Sequence, residues 1–229
     1  MSDQPSARDE SALPDILPIF PLTGVLLLPR GRLPLNIFEP RYLTMTKDAL
    51  GGERLIGMVQ PSEPELQDNR GRGAMNPPVY PVGCAGRVTQ FSETDDGRYL
   101  ITLTGVSRFR IREELPLLDG YRRVVPDWQP FAHDRERPGK SEFDRERLIR
   151  GLKSYFAQRQ IQADFEAIEK APGEYLVTSL AMACPFAPSE KQALLEAADL
   201  DGRAELLTAL VEMAAIEPGN EESGGGTRH

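Results

Sequence analysis

Residues 17–43, LPIFPLTGVLLLPRGRLPLNIFEPRYL, carry three short apolar runs, Leu17–Phe20, Val25–Leu28 and Leu33–Phe38, each bounded by Pro or Gly. Proline can neither donate to a sheet ladder nor continue a helix. The spacing therefore predicts three short buried strands joined by fixed bends. At Glu39-Pro40-Arg41-Tyr42 the pattern changes. Proline suits the first turn of a helix, where its missing N–H would be unpaired anyway, and Tyr42, Met45, Ala49 and Leu50 follow at helical spacing. The stretch predicts a strand layer with one helix laid across it.

Outward from this stretch, the chain has the makings of an ordinary globular protein, with 229 residues of which 40% are hydrophobic. No run approaches the roughly 18–20 apolar residues that span a bilayer, and Met1–Ser11 is polar and acidic, unlike a signal peptide. The expected location is the cytoplasm. The net charge of −8 opposes general phosphate-backbone binding, so nucleic acid is a disfavoured partner. Cys84 and Cys184 stand far apart and read as two buried apolar thiols, not as a disulfide framework or a zinc site.

The hydrophobic period divides the chain. Residues 1–14 read as a disordered tail, 15–127 as a β-rich subdomain, 128–140 as a polar linker, 141–216 as a helical subdomain and 217–229 as a second tail. Within the first subdomain, Gly51-Gly52 stops the helix, Arg54–Gln60 is a strand, and Pro61–Pro78 is a long proline-rich surface loop. Val82–Glu93 and Arg98–Thr104 flank Thr94-Asp95-Asp96-Gly97, a hairpin turn in which Gly supplies the positive φ. Val106–Glu113 follows as another strand, with Arg108, Arg110 and Arg112 on one face and Phe109 and Ile111 on the other, and Gly120–Pro126 closes the set. Beyond the linker, Leu148, Ile149, Leu152, Tyr155 and Phe156 form an amphipathic helical stripe capped by Ser141. Ala163–Lys170 and Gly173–Ala183 read as further helices. Ser189 with Gln192 predicts a capping box, and Asp201 an N-cap for a last helix buried through Leu206, Leu207, Leu210, Val211 and Ala214.

The opening resembles the N-terminal domain of Lon proteases, whose pattern runs LPLFPL, then V-L-x-P, then LPL-x-IFEPRY. Leu17–Leu22, Val25–Pro29 and Leu33–Tyr42 match it almost throughout. The resemblance extends to Gly97-Arg98, to the run from Gly105 through Arg108-Phe109-Arg110-Ile111, and to Tyr121–Val125, where Arg123 replaces a commonly small residue. It continues more loosely from Leu180 to Leu206. It implies an α+β fold: an N-terminal PUA-like β pseudobarrel with one crossing helix, followed by a C-terminal helical bundle.

Residues that break bonds are harder to find. His133 sits in the presumed linker and His229 is the last residue, so neither makes a convincing base for a triad. There is no G-x-x-x-x-G-K-[ST] phosphate loop and no segment resembling the Ser–Lys dyad of full Lon proteases. Neither zinc nor calcium spacing is present, so no catalytic residue, metal or cofactor is expected. The resemblance then implies a stand-alone, non-catalytic module that binds unfolded or partner polypeptide, without the ATPase and protease parts. Its candidate contact residues are Phe38, Glu39, Arg41 and Tyr42, among which Glu39 and Arg41 can equally pair with nearby chain. PUA-like barrels elsewhere bind RNA, and the alternative reading assigns an anion or RNA to Arg108, Arg110 and Arg112. The same row can instead pair with Glu93, Asp95 or Glu113 across neighbouring strands.

Overall fold

A computed structural model describes residues 13–62, 76–136 and 141–216. Both expected tails, nearly all of them, most of the Pro61–Pro78 loop and the end of the linker fall outside these residues. The chain divides into two units, one of Met1–Arg137 with Pro185–Leu195 and one of Pro138–Cys184 with Glu196–His229. The fold is α+β, with a β-sheet region first and helices in the C-terminal part.

In the first unit the strands are β1 (Leu17–Pro21), β2 (Arg32–Ile37), β3 (Leu55–Val59), β4 (Val82–Glu93), β5 (Tyr99–Leu118) and β6 (Tyr121–Asp127), with helix α1 (Pro40–Gly51) between β2 and β3. They pair in the order β2-β5-β4-β3-β1-β6, and β5 also pairs with β6. All pairings are antiparallel except β1–β3. Pro34 falls where a ladder tolerates proline, since β2 is at the edge of the sheet with β5 as its one partner strand in the order. Leu17, Ile19, Leu55, Val59, Ala85, Phe109 and Val124 form the core between the strands. The hairpin turn is as the sequence reads, with Gly97 at φ +79°.

Two strand expectations need correction. Val25–Leu28 is not a strand; it is an irregular segment whose Leu26, Leu27 and Leu28 are buried as a core plug. A short apolar run marks burial, and periodicity alone cannot turn it into a strand. Arg98–Thr104 and Val106–Glu113 are not separate strands but one, β5. Gly105 in its middle is there because a Cβ would lie 2.0 Å from the Leu28 carbonyl oxygen, not because the chain turns. The plug is fastened at that point by Arg30 N–H donating to Gly105 O and Gly105 N–H donating to Gly31 O, both 2.8 Å.

The segment read as a linker begins with 3₁₀ turns, Gln129–Arg135, in which Phe131 and Asp134 are buried. Helix α5 (Pro188–Glu196) also serves the first unit through its residues up to Leu195. Gln60 Nε2 donates to Pro188 O (3.0 Å), Lys191 Nζ to Gly24 O (2.8 Å) and Gln192 Nε2 to Val82 O (3.1 Å). The capping-box reading is corrected here. The Ala187 N–H donates to the Glu190 carboxylate (2.7 Å), and Gln192 reaches the sheet instead of its own helix start.

The second unit holds α2 (Arg145–Gln158), α3 (Phe165–Lys170), α4 (Gly173–Ala183) and α6 (Leu200–Ala214). Helix α6 packs on α2 and α4, burying Leu148, Leu152 and Tyr155 against Leu207 and Val211. Gly151 lets the first two helices approach closely, since a Cβ there would meet Val211 Cγ2 at 2.9 Å. The caps differ from the expected ones. Asp144, not Ser141, accepts from Arg147 N–H, and Asp199, not Asp201, accepts from Gly202 N–H. Asp201 instead receives the Glu142 N–H at 3.1 Å. Cys84 and Cys184 are both buried and form no disulfide.

Candidate functional site

Phe38 lies between β2 and α1, directly after Ile37, and it stands 62% exposed. The three candidates after it are held by contacts within the chain, and of them Tyr42 alone is buried. Glu39 Oε2 accepts from Arg41 Nε at 3.0 Å and pairs with its Nη2 at 2.9 Å. The Arg41 guanidinium lies 4.5 Å over the Tyr42 ring, and that ring sits 4.2 Å from Phe20. Tyr42 is buried, and desolvation pushes its phenol above the ordinary range. Of the four residues, Phe38 is the one that offers apolar surface to a partner.

The strands give Phe38 neighbours that sequence reasoning missed. The register aligns Asn36 with Leu100 and Leu100 with Ser92, and aligns Leu35 with Ile101 and Ile101 with Phe91. This three-stranded ribbon, β2-β5-β4, carries Phe91 at 42% exposure and Leu100 at 47%. The Phe91 and Tyr99 rings meet edge to face at 5.0 Å. A groove of about 550 Å³ runs along it, lined by Pro34, Asn36, Phe91, Leu100 and Thr102 among others. Large apolar side chains on both faces of one ribbon are more than a half-buried strand requires, and such patches mark interaction surfaces. The legible signal was the apolar pair Tyr99-Leu100 opposite Phe91 beside an Asp-Gly turn, where alternation should have supplied polar residues on one face.

Arg108, Arg110 and Arg112 do not share a surface. Arg108 is 1% exposed and ion-paired with buried Asp134. Its Nε donates to both Asp134 oxygens (3.2 and 2.9 Å), its Nη2 to Oδ1 (2.8 Å), and its backbone N–H to Oδ2 (2.9 Å). Nη1 donates to Leu195 O at 3.1 Å, and the guanidinium stacks 4.6 Å over Phe131. His133 Nε2 lies 3.0 Å from Nη2. The cluster ties the 3₁₀ turns and α5 to β5. Arg110 and Arg112 are exposed.

No group of three or more His, Cys, Asp or Glu that could hold a metal occurs among the described residues. None of the described helices is long and apolar enough to cross a membrane.

Against known proteins, residues 16–213 match the family described as the ATP-dependent protease La (LON) substrate-binding domain. The chain belongs to this family. The Lon substrate-binding domain is a recognition module and not a catalytic domain. Among its relatives, Lon protease 2 of Sorangium cellulosum is 26% identical over 214 residues, covering 91% of this chain and 26% of the relative. Lon protease 2 of Myxococcus xanthus is 27% identical over 212 residues, covering 90% and 24%. The chain thus spans about a quarter of the length of these curated relatives. The fold is that of a Lon N-terminal domain protein from Xanthomonas campestris, with a TM-score of 0.56 at 21% identity, over 85% of this chain and 97% of the other. The N-terminal domain of the Mycobacterium avium complex Lon protease gives 0.56 at 16% identity, over 86% and 97%.

Proposed function

We propose that this Lon substrate-binding-domain protein captures exposed apolar segments of other polypeptides on the β2-β5-β4 ribbon, with Phe38 as the anchor and Phe91 and Leu100 beside it. The observation that carries this reading is the exposure of these three large apolar side chains, Phe91 and Leu100 in the lining of the groove and Phe38 just past the end of β2. Aromatic anchors with apolar neighbours are what an unfolded chain offers a binding surface to grip. Glu39 and Arg41 support the anchor by holding each other, and Tyr42 fixes the helix start on the strands. We read the strand circuit, in which β5 pairs with both β4 and β6, as a PUA-like pseudobarrel crossed by α1. We take the setting to be the cytoplasm and the clients to be unfolded chains of the kind a Lon protease would receive.

The test is fluorescence anisotropy or crosslinking with a labelled, denatured model protein. Saturable binding is expected. Phe38→Ser combined with Leu100→Ser should weaken it by at least about tenfold, since each buried apolar side chain contributes roughly 1.5–3 kcal/mol. The absence of saturable binding to any unfolded chain rejects the reading.

A further inference from the structure

We propose that a second pocket of the first unit, at Arg112 and Trp128, binds a single carboxylate carried next to an apolar group. The pocket, about 370 Å³, lies in the far half of β5 from the Phe38 ribbon and is lined by Arg112, Arg135, Asp127, Trp128, Pro126 and Leu13 among others. Three features of its walls select this ligand.

The first is the aim of Arg112. Ile111 pairs with Pro126 and Glu113 with Val125, which leaves Arg112 as the extra residue of a β-bulge between β5 and β6. A bulge turns its extra side chain out of the strand's alternation, and here that residue lines the pocket. Arg112 meets no hydrogen-bond or ion-pair partner among the described residues. The second is a fixed platform. Trp128 Nε1 donates to Pro14 O at 3.1 Å, and its ring stands edge to face with Phe109 at 5.7 Å. An indole held on two sides loses little freedom when a ligand lands on it. The third is the charge count. Two guanidinium side chains and one carboxylate line the pocket, and Asp127 Oδ1 is already engaged by Gln129 N–H at 3.1 Å. Asp127 repels a dianion such as phosphate more strongly than it repels a carboxylate monoanion, which leaves Arg112 to pair with a single negative charge. Leu13, Pro126 and the indole supply an apolar wall for the group next to the carboxylate.

The natural bearer of that carboxylate rests on the polypeptide reading above: a chain terminus, or an acidic side chain beside an apolar residue. The experiment keeps the two readings apart. Trp128 is the sole tryptophan of the chain, so its emission reports on this pocket alone. The full chain is titrated with N-acetyl-Ala-Ala-Leu bearing a free carboxylate, with its C-terminal amide, with N-acetyl-Leu-Asp-Leu amide, and with inorganic phosphate. A saturable emission change is expected with at least one carboxylate peptide and none with the neutral amide. Binding to the first peptide only assigns the site to chain termini, and binding to the third assigns it to acidic side chains; either supports the proposal. Arg112→Gln should weaken binding by about tenfold or more, the loss expected for a charged hydrogen-bond partner, with an unchanged thermal midpoint because the residue is exposed. Phe38→Ser should leave the titration unaltered while weakening capture of denatured protein. The proposal is overturned if the amide binds as well as the acid, if phosphate binds as tightly as the peptides, if R112Q binds like the parent, or if neither carboxylate peptide gives saturation up to roughly 10 mM.

Discussion

The two units are fastened in opposite ways. In the first, an arginine and an aspartate are buried together, and one guanidinium joins β5, the 3₁₀ turns and α5 through Asp134 and Leu195 O. In the second, ion pairs such as Arg147 with Glu212 at 2.6 Å and Lys153 with Glu169 at 2.8 Å lie on the outside, with side chains between 36% and 54% exposed. Solvent screens such surface pairs, and their contribution is small and spread over many places. A buried pair behaves differently, because removing one partner strands a charge where water cannot reach it. The first unit therefore concentrates its vulnerability in buried arginine pairs, Arg108 with Asp134 above all and Arg122 with Glu114 after it, and the second leans on caps, helix packing and surface charge.

That contrast can be broken by substitution. Asp134→Ala should have the largest effect, about 3–5 kcal/mol off the stability of the first unit, by leaving the Arg108 guanidinium buried and unpaired; urea denaturation followed through Trp128 emission measures it. A cost below that of any single change in the second unit would end the claim of concentrated vulnerability. Gly105→Ala comes next, at about 1–3 kcal/mol, because the new Cβ meets the Leu28 carbonyl oxygen, in a segment that hydrogen bonds at Arg30 and Gly31 fasten to Gly105. In the second unit, Asp199→Ala should cost about 1 kcal/mol by freeing the Gly202 N–H at the start of α6, read as a lower thermal midpoint by circular dichroism.

The smallest effects come from titration. Glu212 is held below the usual carboxylate range by its hydrogen bond from Arg147. Its contribution is present above the unfolded pKa and fades as the pH falls through the folded one, so Glu212→Gln should flatten a shallow acid slope that high salt also removes. At the alkaline end, burial first and then donation to Asp48 push the Tyr121 phenol from 10.0 up to about 12. The folded state holds this proton more tightly than the unfolded chain. Its contribution is complete below pH 10.0 and is lost as the pH rises through about 12. Tyr121→Phe should reduce that alkaline loss, and an unchanged pH profile would show that the hydrogen bond does not matter.

Local chemistry was legible wherever it was strong. Pro40 starts α1, Asp96-Gly97 makes the hairpin, and Gly173–Ala183 is a helix with the bounds the pattern predicts. The errors were also local in kind. Ser141, Ser189 and Asp201 are sound capping residues, but each lost to a competitor within a few residues, Asp144, Glu190 and Asp199, because several short polar side chains stood near each helix start. The candidate contact residues divided for a different reason. Phe38 is exposed and Tyr42 buried because one lies just past an edge strand while the other turns back onto Phe20, and a linear pattern does not distinguish those faces.

By itself, the sequence determined where most strands and helices lie, the hairpin and the family, because proline, glycine and apolar spacing act over a few residues. Only the tertiary structure decided that Arg108 is an internal clamp, that Val25–Leu28 is a plug, and that α5 returns to serve the first unit. Each of those outcomes joins groups distant along the chain, such as Arg108 with Asp134 and Leu195, or Gly105 with Leu28. Burial gives such pairings their energy, and burial exists only after the chain has closed around them.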